Sequence, residues 1–143
     1  MIKFIKNNIL YVAWNTTVVS MAGSLYFSEF LGFPPCVLCW YQRIAMYPLV
    51  LILAVGIIKK DRYLYSYVLP FSLLGGAIAF YHNLLYYKLL PDSLAPCISG
   101  ISCTTKFIEW FGFVTIPLLS LLSFIFITIA MLIYKKLNHD QRN

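Results

Sequence analysis

Four apolar runs, each about as long as a bilayer is thick, divide this sequence and leave little chain between them. They cover about residues 9–30, 40–58, 64–87 and 115–134. A transmembrane helix takes about 20 apolar residues, so four of them use more than half of the 143. What remains is spread over termini and loops and is too short to bury the core of a second, water-soluble domain. Charge points the same way. Only 11% of the residues are charged, against about 25% in soluble domains, and a water-exposed globule needs that surface. The expected fold is all-α: a single integral membrane domain over 1–143, built as a bundle of four transmembrane helices in a lipid bilayer.

The net charge of +6 would suggest nucleic acid on a soluble protein, but its placement reads as topology. Lys3 and Lys6 precede the first run, Lys59, Lys60 and Arg62 separate the second from the third, and Lys135, Lys136 and Arg142 follow the last. By the positive-inside rule these groups face the cytoplasm. Both termini are then cytoplasmic, and segments 31–39 and 88–114 face outward. The outer segments hold only Lys88 and Lys106 as basic residues, offset by Asp92 and Glu109. No nucleic-acid partner is expected. The start of the chain also has features of a secretory signal, with Ser20, Met21 and Ala22 as a small-residue cleavage site. Apolar character continues past them to Leu31, however, and Asn15, Thr16 and Thr17 break the supposed signal core. An uncleaved first helix is expected.

The sequence has no internal repeat and no linker. Thr16, Ser20, Ser24 and Ser28 recur every four residues on the first helix, and Ser72, Gly75, Gly76, Ala79 and Asn83 form a similar face on the third. Small residues let helices approach closely in lipid, so both stripes read as packing surfaces. Pro117 falls in the first turn of the fourth helix, where its missing N–H costs little. Just before it, Phe107, Trp110, Phe111 and Phe113 suit a short segment lying in the outer interface.

All four cysteines fall in the outward segments: Cys36 and Cys39 at the mouth of the second helix, Cys97 and Cys103 in the long second segment. Disulfides persist outside the reducing cytoplasm, so the expected loops are two extracytoplasmic cysteine loops. A two-residue spacer is the geometry of dithiols that exchange. Inert structural staples are the alternative reading, but staples are needed most by small domains without a core. Arg43, four residues after Cys39, projects from the same helix face one turn deeper. A cation within a membrane span marks a functional site by default, and near a cysteine it favours the thiolate; the bland alternative is snorkelling to the headgroups. A four-cysteine zinc site is disfavoured: five residues separate Cys97 from Cys103, one more than usual, and the outward side is oxidising. No metal is expected.

The run Pro35-Cys36-Val37-Leu38-Cys39-Trp40-Tyr41-Gln42-Arg43 resembles the signature of the DsbB family, bacterial membrane proteins of disulfide-bond formation linked to quinone. The likeness is closest to the short Gram-positive form, the BdbC type, and extends over nearly the whole chain. It implies a multi-pass protein of the bacterial plasma membrane that reoxidises an extracytoplasmic thioredoxin-fold thiol oxidase of the DsbA kind. The implied catalytic residues are Cys36, Cys39, Cys97 and Cys103. Cys97 of a Cys97–Cys103 disulfide would meet the partner, Cys103 would attack Cys36, and Cys39 would pass electrons to the membrane quinone pool. Arg43 and His82 are the implied quinone-binding residues, and the quinone is menaquinone in a Gram-positive cell or otherwise ubiquinone. Without the resemblance, His82 reads as polar glue between helices. Two features depart from the proteobacterial pattern: the short Cys97–Cys103 spacing, and Gln42 where an acidic residue is usual. No role follows for Gln42, for Glu29 at the outer end of helix one, or for His139 in the tail. Other function classes are a structural subunit with inert disulfides, a carrier passing electrons outward, and a quinone reductase of the vitamin K epoxide reductase type, whose active cysteines sit in a later helix.

Overall fold

A computed structural model describes residues 2–91, 93, 95–96, 103 and 115–140. Its elements are helical: α1 (Ile2–Leu25), a π turn (Tyr26–Phe30), α2 (Val37–Lys59), α3 (Leu64–Tyr86) and α4 (Ile116–Asp140). Cys97 and the aromatic segment around Phe107, Trp110, Phe111 and Phe113 lie outside the described residues.

By length and composition α2, α3 and α4 are each able to cross a membrane. α1 is as long but less apolar, because Lys3, Lys6, Asn7, Asn8, Asn15, Thr16 and Thr17 all fall within it. Its apolar run instead continues through the π turn to Phe30, so what reads as one segment from 9 to 30 is divided between two helix types. α2 begins at Val37, three residues before the apolar run suggests, and takes Cys39 into its first turn.

The helices form a closed ring of neighbours: α1 packs on α2 and α4, and α3 packs on the same two. The turn between α2 and α3 is tight because Lys60 adopts a left-handed conformation, φ 52°. There Lys60 N–H reaches Ile57 O at 3.2 Å and Asp61 N–H reaches Gly56 O at 2.9 Å, two bonds that satisfy the last carbonyls of a helix. α4 closes over this end, its Tyr134 hydroxyl donating to Asp61 O at 2.9 Å.

The core runs along the bundle axis through Leu10, Ala13, Leu49, Leu53, Val68, Ala79, Phe124, Ile127 and Met131. In lipid, apolar contact between helices gains little over contact with acyl chains, so close approach and hydrogen bonds specify the packing. α3 shows both devices. The Ser72 hydroxyl donates to Phe124 O at 3.1 Å. Asn83 donates to Pro117 O at 2.9 Å, tying α3 to the first turn of α4. On the other side of the ring, Trp14 Nε1 donates to Val50 O at 3.1 Å, and the Ser20 hydroxyl donates to that of Ser123 at 3.0 Å.

Candidate active site

After the π turn the chain bends at Gly32, φ +65°, and Pro34-Pro35 lead into Cys36. Cys36 is extended, φ −73° and ψ 172°, and serves as the N-cap of α2. Its sulfur accepts the N–H of Cys39 at 3.4 Å, as the side-chain oxygen of serine does at this position. One turn of helix then brings the two sulfurs to 3.0 Å. Cys36 precedes the membrane-spanning segment, and its thiol is held down to about 4. The first cause is its hydrogen bond with the Cys39 thiol, with further contributions from His82 and the Cys39 N–H, all against the opposing effect of burial. A helix N-terminus favours a thiolate in the same sense. At the helix N-terminus, Cys36 is a sulfur prepared to carry charge.

This depression predicts the pH dependence of the pair's reduction potential. Between about 4 and the ordinary thiol range of 9.0, reducing the disulfide takes up one proton for two electrons. The potential is expected to fall by about 30 mV per pH unit, rather than the roughly 60 mV that two protons would give. Equilibration of the Cys36/Cys39 pair with a dithiol buffer between pH 5 and 8 reads that slope.

α3 supplies His82, which is 2% exposed. Its Nε2 lies 3.1 Å from the carbonyl oxygen of Cys103 and 3.9 Å from the Cys36 sulfur. Its Nδ1 lies 3.0 Å from Gln42 Nε2. Cys103 is disulfide-bonded and packs with Cys36, Leu38 and Leu85 in one buried cluster. Cys103 therefore sits at the mouth of α2. Cys36, Cys39 and His82 also have metal-ligand spacing, their donor atoms all within 4.8 Å. They do not fit a resident metal, because Nε2, the ring nitrogen beside the Cys36 sulfur, faces a carbonyl and must keep its proton there, while the lone pair on Nδ1 is turned to Gln42.

Arg43 is half-buried and turned toward α1. Its Nε donates to the Ser24 hydroxyl at 2.9 Å and its terminal nitrogen to Ser24 O at 2.9 Å. Trp40 covers the guanidinium, 5.4 Å from ring centroid to Cζ. Ser24 lies one residue before the end of α1, next to the π turn, a local widening of the helix common at functional sites. Thus one member of the small-residue stripe anchors the arginine, while Ser20 packs α1 on α4.

Between α1, α2 and the start of α4 lies a cavity of about 340 Å³, within the range of small-molecule sites. Cys36, Cys39, Arg43, His82 and Cys103 all line it. Its remaining wall is mostly apolar, from Val19, Phe27, Met46 and Pro117. Among the lining residues to which sequence reasoning gave no role at the site are Ser24, Gln42 and Tyr47, whose buried hydroxyl has no hydrogen-bond partner among the described residues. Gln42 and Tyr47 were within reach of a spacing argument. They follow Cys39 and Arg43 by three and four residues, which puts each on the face of its predecessor.

The family model described as "Disulfide bond formation protein DsbB" matches residues 6–134. The chain belongs to this family. It is similar to disulfide bond formation protein C of Bacillus subtilis strain 168, at 47% identity over 132 residues, covering 91% of this chain and 96% of that one. It is also similar to the probable disulfide formation protein C 1 of Bacillus anthracis, 47% identical over 128 residues, with 89% and 91% covered. A probable disulfide formation protein of Metapseudomonas resinovorans is 39% identical over 130 residues, 90% of each chain. No solved structure matches the chain. DsbB membership and three span-capable helices make it a multi-pass bacterial membrane protein, an oxidoreductase of disulfide-bond formation.

Proposed function

We propose that this protein reoxidises an extracytoplasmic thioredoxin-fold thiol oxidase of the DsbA kind and delivers the electrons to membrane quinone. The observation that carries the reading is the cavity that gathers Cys36, Cys39, Cys103, Arg43 and His82 at the mouth of α2. In this reading both termini are cytoplasmic, α1 with its π turn is the fourth span of a single membrane domain, and all four cysteines lie outside.

The reduced partner attacks the Cys97–Cys103 disulfide at Cys97, and Cys103 leaves as a thiolate. Cys103 then attacks Cys36: the Cys103–Cys36 bond forms, the Cys36–Cys39 bond breaks, and Cys39 keeps the electron pair. The burial of Cys103 beside Cys36 supports this step. The partner's second thiolate resolves its own mixed disulfide and releases Cys97, which attacks Cys103. That restores the first disulfide and releases Cys36 as a thiolate, the state its N-cap position favours. Bound in the cavity, a quinone would supply the final two-electron oxidation of the Cys36/Cys39 pair, with one proton drawn from Cys39 and the second from solvent. The cavity fits such a group in volume and in its apolar wall; Arg43 and His82 are the residues that would hold its oxygens, menaquinone in a Gram-positive membrane and otherwise ubiquinone.

The test follows quinone absorbance on purified protein in detergent after addition of a reduced thioredoxin-fold dithiol protein. Catalytic loss of the quinone signal is expected; no loss in the presence of either quinone would overturn the reading. Arg43→Ala is expected to raise the KM for quinone about tenfold or more, since hydrogen bonds to a charged group contribute about 1.5–3 kcal/mol. Arg43→Lys should recover little of it, because an ammonium lacks the planar fork that engages Ser24. Unchanged quinone kinetics in both variants would remove Arg43 from the site.

A further inference from the structure

His82 contacts both cysteine centres at once, and the chemistry of its neighbours fixes where its proton lies. The Cys103 carbonyl, 3.1 Å from Nε2, can only accept. Nε2 therefore carries hydrogen, and in the neutral ring Nδ1 is left as an acceptor. That requirement also fixes Gln42, which must turn its amide N–H, not its oxygen, toward Nδ1 at 3.0 Å. Gln42 is 7% exposed and lies on α2 one turn below Cys39, so a buried amide on one helix sets the tautomer of an imidazole on the next. The single N–H so oriented lies between the Cys103 carbonyl and the Cys36 sulfur, 3.9 Å away.

We propose that Gln42 is a positioning residue that locks His82 as the Nε2–H tautomer, so that this N–H serves the Cys36 sulfur during exchange between Cys103 and Cys36. The inference rests on the thiol relay above and does not involve quinone. When Cys97 attacks Cys103, the Cys103–Cys36 bond breaks and Cys36 leaves with the electron pair. The Nε2–H stabilises that developing thiolate without giving up its proton. The same N–H is shared with the Cys103 carbonyl, 3.1 Å away while Cys36 and Cys39 are unbridged. With the opposite tautomer, Nε2 would present a lone pair to both the carbonyl and the thiolate, opposing the two contacts that join the centres.

The chain contains 2 histidines, so the full-length protein labelled with ¹⁵N-histidine gives a simple spectrum. In quinone-free wild-type protein His82 is expected to show a protonated Nε2 and a bare Nδ1. Gln42→Glu places an acceptor-only carboxylate at Nδ1 and is expected to move a proton onto that nitrogen. Gln42→Met keeps the side chain's length and removes its donor. It is expected to slow single-turnover electron transfer from a reduced thioredoxin-fold dithiol to the Cys36/Cys39 pair about tenfold or more, the size of effect that losing a hydrogen bond to a charged group gives. The concentration dependence on the dithiol should be unchanged.

A protonated Nδ1 in the wild type overturns the proposal, as does a bare one in Gln42→Glu or a wild-type exchange rate in Gln42→Met. If the wild-type protein takes no electrons from the dithiol, the relay reading itself fails, and the spectra still decide the tautomer. If exchange proceeds but no quinone is reduced, only the quinone reading fails.

Discussion

Cys36→Ser is expected to abolish catalytic oxidation of the partner while leaving the bundle folded. The two halves of this expectation come from different chemistry at the same atom. As an N-cap, Cys36 uses its sulfur only to accept the Cys39 N–H, and serine is among the residues best suited to that position. The helix start should therefore be as stable as before or slightly more so. As a redox centre, however, Cys36 is the sulfur packed with Cys103, paired with Cys39 and faced by His82. A hydroxyl in its place forms no disulfide, so electrons arriving at Cys103 have nowhere to go. With excess reduced partner, the variant should oxidise no more than one equivalent, using its Cys97/Cys103 pair once. Repeated turnover, counted as partner thiols lost per protein, would show that electrons bypass Cys36 and would sink the relay.

That centre was only partly legible in the sequence, and the division has a physical cause. The spans, the pairing of Cys36 with Cys39 and the intrusion of Arg43 are properties of local composition and spacing, so one dimension suffices to see them. The polar partners are not local. Arg43 is held by Ser24, 19 residues away, and His82 by Gln42, 40 residues away. Such pairs exist only once helices are side by side, and a serine or glutamine within a span has no spacing rule that names its partner. α1 reads ambiguously for a related reason. Its polar residues are satisfied by neighbours that hydropathy does not see, Thr17 by the Trp14 carbonyl and Ser20 by Ser123. The stripes of small residues were legible as surfaces, but not which member does what.

The third-helix stripe gives the sharpest structural contrast, because two adjacent glycines in it should behave oppositely. A Cβ on Gly75 would run into the ring of Phe124, while one on Gly76 would meet only the Phe124 Cβ at 3.6 Å, an ordinary contact. Phe124 cannot give way freely: its side chain is fully buried, and its carbonyl is held by Ser72 at 3.1 Å and Thr128 at 2.8 Å. Gly75→Ala must then force α3 from α4, at a cost of about 1–3 kcal/mol typical of overpacking. Gly76→Ala should be neutral, or stabilising by up to about 1 kcal/mol through helix propensity. Gly75 also lies two turns from His82 on the same face of α3, and Asn83 beside it anchors α3 to Pro117. Prising α3 from α4 therefore moves His82 relative to Cys36. Gly75→Ala should lower both the unfolding midpoint in detergent and the rate of exchange between the cysteine pairs, with Gly76→Ala tracking the wild type in each. Equal midpoints for the two variants would mean that Phe124 yields, and that the close approach of α3 to α4 does not set the geometry at the mouth of α2.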